Sequence, residues 1–327
     1  MGLSDSRARP GRITWSPSVT LVPTRSCFNA CGYCSFRRPP DESLAGDGLD
    51  LEGALAQLQG RRQASEVLLL SGEVPPGSAA RPAWFARLVA LSRLALNQGR
   101  LPHTNAGPLD LREMAILGRL NPSMGLMLEG LGPAVERQHR QAPSKLLAVR
   151  LGQLEQAGRL GIPFTTGLLL GLGESPADRR DALELIALLQ HTWGHIQEVI
   201  LQPFRPAGPA AAPLSSAEQH QLLGTIAEAR AILPPEVHLQ LPANLWPLED
   251  LPAALEAGID DLGGIDTTDV INPAYPQPGP AGLAAHLAAA GWQLQPRLCV
   301  HGAWIPRLHP ALRSRVERLA QRLAHGC

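Results

Sequence analysis

What this chain lacks first is net charge: 29 Lys and Arg balance 29 Asp and Glu over 327 residues, for a formal sum of zero. A balanced chain creates no overall field to gather nucleic acid or an anionic membrane surface, so neither partner is expected and a small molecule is the default substrate. No apolar run reaches the ~18 residues of a membrane helix, and the N-terminus has no hydrophobic signal core, so no membrane partner or cleaved leader is expected. Met1-Gly2-Leu3-Ser4-Asp5-Ser6 matches the outline of a myristoylation site, but no polybasic patch supplies a second anchor, and an acyl chain is not expected. Five cysteines, an odd number with three of them clustered, argue against disulfides and for a reducing cytoplasm.

The most telling shortage is a fourth cysteine. Cys27-Phe28-Asn29-Ala30-Cys31-Gly32-Tyr33-Cys34 supplies three thiolates as C-x3-C-x2-C, where a closed structural zinc site or a fully ligated Fe-S cluster takes four. The next histidine along the chain is His103, outside any finger-like spacing, so a zinc knuckle is not expected. Three sulfurs on a cluster leave one iron open to a substrate or cofactor, as a catalytic zinc keeps one position free. Cys299, inside Leu298-Cys299-Val300, reads as a small buried hydrophobe, and Cys327 is the last residue; neither is expected to ligate. His191 and His195 have the i, i+4 spacing of a helical metal pair, but Gly194 between them signals a helix already ending, and a structural role is expected.

Short apolar runs alternate with longer helical stretches, the pattern of βα units around a parallel sheet. Strands are expected at Ser18–Val22, Glu66–Ser71, Arg100–His103, Met124–Leu128, Phe164–Leu169, Glu198–Gln202, His238–Leu241 and Ile259–Leu262. Helices are expected at Leu51–Leu58, Leu146–Leu160, Ala177–Leu189 and Ala217–Ile232. The fold expected is a single-domain (β/α)8 TIM-type barrel, with a tail over 1–16, a barrel core over 17–275 and an extension over 276–327 packed on the barrel. Chemistry in such a barrel sits at the C-terminal strand ends, which is where the cysteine loop, Gly72-Glu73, Asn105, Glu129, Gly171, Gln202, Asn244 and Asp260-Asp261 are expected to meet.

The cysteine spacing, with aromatic Tyr33 before the last Cys, resembles the cluster loop of the radical S-adenosylmethionine (SAM) enzymes. Further segments resemble one family among them, the ring-closing radical SAM subunit of 7,8-didemethyl-8-hydroxy-5-deazariboflavin (FO) synthase. They include Ser71-Gly72-Glu73, Leu101-Pro102-His103-Thr104-Asn105-Ala106-Gly107, Gly161-Ile162-Pro163-Phe164-Thr165-Thr166-Gly167 and Ala257-Gly258-Ile259-Asp260-Asp261-Leu262-Gly263-Gly264. Leu262, Pro203 and Asp266-Thr267-Thr268 depart from the family's usual Trp, Asn and Ser-Pro-Val, which bears on substrate contacts.

The resemblance implies one 4Fe-4S cluster on Cys27, Cys31 and Cys34, with SAM on the open iron. It implies a SAM site of Tyr33, Gly72, Glu73, Asn105, Glu129, Arg150 and Gly171, with Glu73 on the ammonium and Arg150 on the carboxylate. His103, Thr165, Thr166, Gln197, Gln202 and Asn244 are candidates for a polar, uracil-bearing substrate, and Asp260 and Asp261 for proton transfer during ammonia loss. The implied reaction is that of a carbon-nitrogen lyase: hydrogen abstraction and ring closure of the adduct of tyrosine with 5-amino-6-(D-ribitylamino)uracil. It implies a separate radical SAM partner that makes the adduct, and an electron donor. The rivals are that adduct-forming partner, another radical SAM barrel such as a biotin-synthase relative, and a non-catalytic metal-binding scaffold.

Overall fold

The computed structural model describes residues 11–40, 48–208 and 211–324. The expectations for Met1–Ser6 and Cys327 lie outside the described residues. Eight parallel strands close into a barrel: β1 (Gly11–Leu21), β2 (Glu66–Leu70), β3 (Leu101–Asn105), β4 (Ser123–Gly125), β5 (Phe164–Leu170), β6 (Ile196–Pro203), β7 (His238–Gln240) and β8 (Asp261–Ile265). They are neighbours in chain order, and β1 pairs with both β8 and β2 to complete the ring. Parallel neighbours need a covering crossover, which the helices provide. These are α1 (Leu51–Gly60), α2 (Arg81–Asn97), α3 (Leu111–Gly118), α4 (Pro133–Gln138), α5 (Leu147–Arg159), α6 (Pro176–Trp193), α7 (Ser216–Ile232) and α8 (Leu251–Ala257). All seven residues of β5 are buried, as expected for a strand with the barrel interior on one face and helices on the other. Three helices start on reciprocal caps, Asp110 with Glu113, Ser175 with Asp178 and Ser215 with Glu218, which supply acceptors for otherwise unpaired N–H groups.

Strand one begins at Gly11, not Ser18, so residues 11–16 are barrel wall and not tail. Pro17 argues against a continuous strand in the sequence, yet it sits where β1 changes neighbours. Gly11–Trp15 pair with β9 (Trp292–Pro296), Ser18–Leu21 pair with β2, and the Pro17 carbonyl accepts from Ser65 N–H at 2.8 Å between the two. The second correction concerns Asp260-Asp261, expected at the rim end of strand eight. Asp261 opens β8 in register with Thr14 of β1, at the opposite end of the barrel.

That opposite end is closed by the chain after β9. Arg297 donates from Nε and Nη2 to the Asp261 carboxylate at 2.5 and 2.6 Å and from Nη2 to Glu198 at 3.1 Å. The Cys299 carbonyl accepts from Ser123 Oγ at 2.8 Å and Gln197 Nε2 at 3.0 Å. Leu298, Cys299 and Val300 then join Leu101, Trp304, Leu308, Leu312 and Val316, the last two from α10 (Pro310–Ala324), in an apolar layer beneath the barrel. α9 (Pro280–Ala289) precedes β9 and buries Leu283 and Leu287. Arg297→Ala would strand two carboxylates, Asp261 0% and Glu198 3% exposed. It is expected to cost about 3–5 kcal/mol, read as a lower denaturant midpoint; an unchanged midpoint would mean the guanidinium does not hold the floor.

Candidate active site

The cysteine loop leaves β1 and folds back on itself, with Cys27 N–H donating to the Arg38 carbonyl at 3.0 Å and Arg38 N–H to the Arg25 carbonyl at 2.8 Å. Three further backbone bonds tie it to its surroundings: Phe28 N–H to Glu73 O (3.1 Å), Ala30 N–H to Gln141 O (2.7 Å) and Gly32 N–H to Gln138 O (2.8 Å). The loop is thus clamped between the segment after β2 and the C-terminal end of α4 with the residues that follow it. Gly72 is required at that clamp, because a Cβ there would lie 2.1 Å from the Ser26 carbonyl oxygen. Cys27, Cys31 and Cys34 open into one cavity that also takes in Tyr33, Gly72, Glu73, Asn105, Glu129, Lys145 and Arg150. Burial raises Cys27 above the usual thiol range and pushes Cys31 up to about 11. Cys27 and Cys31 are therefore thiols in the bare loop, and would ionise against the positive charge of a metal centre.

Two acids and two bases face one another across this cavity. Arg150, 1% exposed, reaches Glu73 at 3.1 Å; Lys145 reaches Glu129 at 2.5 Å and Glu73 at 4.0 Å. Asn29, inside the cysteine loop, orients Glu73 by donating from Nδ2 at 2.8 Å and accepts from Ser144 N–H at 3.2 Å. Arg150 Nε is buried with no hydrogen-bond partner among the described residues, so one edge of its fork is free for an incoming acceptor. Glu129 sits at φ +76°, the left-handed region, held by its N–H on the Gly167 carbonyl (3.1 Å) and its carbonyl on Leu169 N–H (2.7 Å). Strain of that kind concentrates at functional sites, and here it places the carboxylate on Lys145. Tyr33, kept protonated by burial and then by the Glu129 charge, donates to His139 Nε2 at 3.0 Å; burial holds His139 down to about 4, so the ring is a neutral acceptor.

A second cavity fills the barrel interior and adjoins the first through shared wall residues Leu70, Asn105, Met127, Gln202, Ile271 and Asn272. His103, Thr165, Gln202 and Asn244 line it, and Glu66, Glu198 and Arg297 line its deep end.

Residues 21–186 match the family model described as the radical SAM superfamily. The chain is 50% identical over 94% of its length, and 98% of the relative's, to 7,8-didemethyl-8-hydroxy-5-deazariboflavin synthase of Thermosynechococcus vestitus. It is likewise 50% identical over 93% of its length and 94% of the relative's to the synthase of that name from Gloeobacter violaceus. This chain belongs to the FO synthase family of radical SAM enzymes. Among solved structures, the FeFe-hydrogenase maturase HydG from Carboxydothermus hydrogenoformans superposes with a TM-score of 0.72 at 21% identity, covering 97% of this chain and 79% of that one. Methylornithine synthase gives 0.62 at 14% identity, covering 88% and 84%. These two likenesses speak to the fold: the (β/α)8 barrel of the superfamily.

The structure brings together the three cysteines, Tyr33, Gly72, Glu73, Asn105, Glu129 and Arg150 in one cavity, and His103, Thr165, Gln202 and Asn244 in the next. Thr166 and Gln197 line neither: Thr166 Oγ1 accepts from Leu128 N–H at 3.2 Å, and Gln197 binds Cys299 O and His301 N–H in the barrel floor. Alternation along a strand sends the residue after Thr165 outward. Gly171, at φ +99°, gives its N–H to Glu174 at 2.7 Å in the turn after β5 and does not line the cysteine cavity. Asp260 accepts from Leu239 N–H at 2.8 Å and contacts His238, while Asp261 grips Arg297, so the rim has no proton-transfer group from this pair. α6 ends at Trp193, with Gly194 left-handed at φ +62°, so His191 and His195 share no helix. Asn29, Lys145, Glu66, Glu198 and Arg297 were not expected; only Asn29, by its place between two cysteines, carried a sequence signal.

Gly72→Ala should overpack the clamp, lowering stability by about 1–3 kcal/mol and reducing the iron bound per chain after anaerobic reconstitution. Wild-type iron content with wild-type melting would show that the loop yields freely.

Proposed function

We propose that this chain is the ring-closing member of deazaflavin synthesis, acting in the cytoplasm on the tyrosine–aminouracil adduct and releasing ammonia. The observation that carries this reading is the cavity in which three thiols face a Glu73–Arg150 pair and which opens onto a barrel interior lined by polar side chains set in an apolar wall. The donor set suits one 4Fe-4S cluster with SAM on its open iron: three sulfurs, an acid for an ammonium and a half-used guanidinium for a carboxylate. When bound, the cluster and SAM supply a 5'-deoxyadenosyl radical able to abstract hydrogen from an unactivated carbon.

The chain's own residues bind, orient and exclude water. Cys27, Cys31 and Cys34 would hold the iron. Glu73, oriented by Asn29, would take the ammonium of SAM, and Arg150, whose Nε–H has no partner among the described residues, would take the carboxylate. Tyr33, Asn105 and Glu129, the last held by Lys145, form the remaining polar wall. Leu70 and Met127 make the collar between the two cavities, which keeps water from the reacting carbon while the adduct occupies the interior against His103, Thr165, Gln202 and Asn244. One cysteine loop and one barrel match one radical step, so a separate radical SAM protein supplies the adduct and a reductant supplies electrons.

The test is anaerobic turnover of reconstituted protein with the supplied adduct, followed by mass analysis. Ring-closed product, ammonia and 5'-deoxyadenosine are expected, and Cys31→Ala should abolish all three together with the brown colour. Coupling of free tyrosine to the aminouracil would assign the chain to the partner's step, and zinc at the trio without SAM cleavage would leave only a metal-binding scaffold.

A further inference from the structure

We infer that Glu66, with His103 beside it, is the recognition site for the imide edge of the substrate's pyrimidinedione ring: Glu66 offers a paired O–H donor and C=O acceptor, and His103 Nε2 a second acceptor. The inference deepens the functional reading above and rests on it. Glu66 opens β2, is 5% exposed, and lines the deep end of the interior cavity with Glu198, Arg297 and His103. On β2 it stands two residues before Leu68, the register partner of His103, and Glu66, Leu68 and Leu70 alternate along the cavity wall.

The charge count settles the form of Glu66. Arg297 is the guanidinium at the floor, and its nitrogens are committed to Asp261, Glu198 and the Leu298 carbonyl; of the two histidines there, His238, raised by Asp260 against the pull of burial, is paired with that carboxylate, and burial keeps His301 neutral beside Glu198. Two carboxylates already share one guanidinium, and no ion pair reaches Glu66 among the described residues. A third buried carboxylate would leave uncompensated negative charge in a low-dielectric site, so Glu66 holds its proton up to about neutral pH. In agreement, burial, reinforced by the Glu198 and Asp261 charges against the opposing pull of Arg297, raises its carboxyl to about 7.

The tautomer of His103 follows from its partners. Ser123 Oγ donates to the Cys299 carbonyl at 2.8 Å, so it accepts from His103 Nδ1–H at 2.7 Å. Nε2 therefore carries no proton, and burial holds the ring down to about 4, neutral at any working pH. That bare nitrogen stands 2.9 Å from where a Cβ on Gly125 would be, and Gly125 lines the cavity, so the missing side chain leaves Nε2 open to a ligand. A donor and acceptor side by side match the C=O and N–H of an imide, and the second acceptor takes a further N–H of an aminouracil.

The test measures calorimetric binding of 5-amino-6-(D-ribitylamino)uracil and of its N3-methyl analogue to the reconstituted protein with SAM, from about pH 6 to about pH 8. The methylated ring, which lacks the imide N–H, should bind about tenfold or more weakly, as should the parent ring to Glu66→Leu. Wild-type affinity should fall as pH rises through 7, because the O–H is lost on ionisation. Glu66→Gln keeps a donor and an acceptor, so it should retain affinity and lose that pH dependence. Equal binding of the two rings, Glu66→Gln as weak as Glu66→Leu, or affinity that strengthens above pH 7 as an anionic seat for an amine would each overturn the inference. Turnover of the adduct by wild type alongside such results confines the failure to Glu66; a wild type that neither binds the ring nor turns over the adduct overturns the functional reading as well.

Discussion

A single guanidinium beneath the barrel decides the shape of the space above it. Arg297 bridges Asp261 at the start of β8 and Glu198 in β6, strands far apart in sequence, and draws the chain after β9 across the barrel floor. A parallel barrel of eight strands has just enough interior for side chains; here that interior is closed at one end by Arg297 and Cys299 and left open above them, its apolar wall interrupted by polar side chains, so it is a blind pocket and not a packed core. Charges buried in this way are worth most as geometry, since each carboxylate is costly without its partner and tolerable with it.

The rim repeats that logic with opposite consequences. Glu73, Glu129, Lys145 and Arg150 balance in sign and are close enough to satisfy one another. A zwitterion entering among them exchanges one set of pairs for another with no net charge to desolvate, which suits an amino-acid head group. The floor by contrast carries more acids than bases, and its surplus is met by a retained proton. One barrel thus offers an exchangeable ionic site at one end and a neutral hydrogen-bonding site at the other.

Much of the barrel was legible in the chain. The strands read at Phe164–Leu169 and Glu198–Gln202 lie inside β5 and β6, and the helices read from Ala177 and Ala217 begin one residue inside α6 and α7, which Ser175 and Ser215 cap. The first half of β1 was not legible, because Gly11 and Pro17 weaken any strand pattern and only the late strand Trp292–Pro296 gives residues 11–15 a partner. The expected acid pair failed for a related reason: a strand placed two residues early moves Asp261 from one end of the barrel to the other.

Cys27, Cys31 and Cys34, Gly72 beside Glu73, and the period of the βα units were set by local chemistry: ligand spacing, backbone clearance and hydrophobic alternation act over a few residues and can be read from them. Which polar residues share a wall was decided only in three dimensions. Thr165 faces the interior and Thr166 does not, Gln197 serves the floor and Gln202 the pocket, and the proton on Glu66 depends on charges 132 and 231 residues further along the chain, at Glu198 and Arg297. Strand register and electrostatics act through space, so no run of sequence contains them.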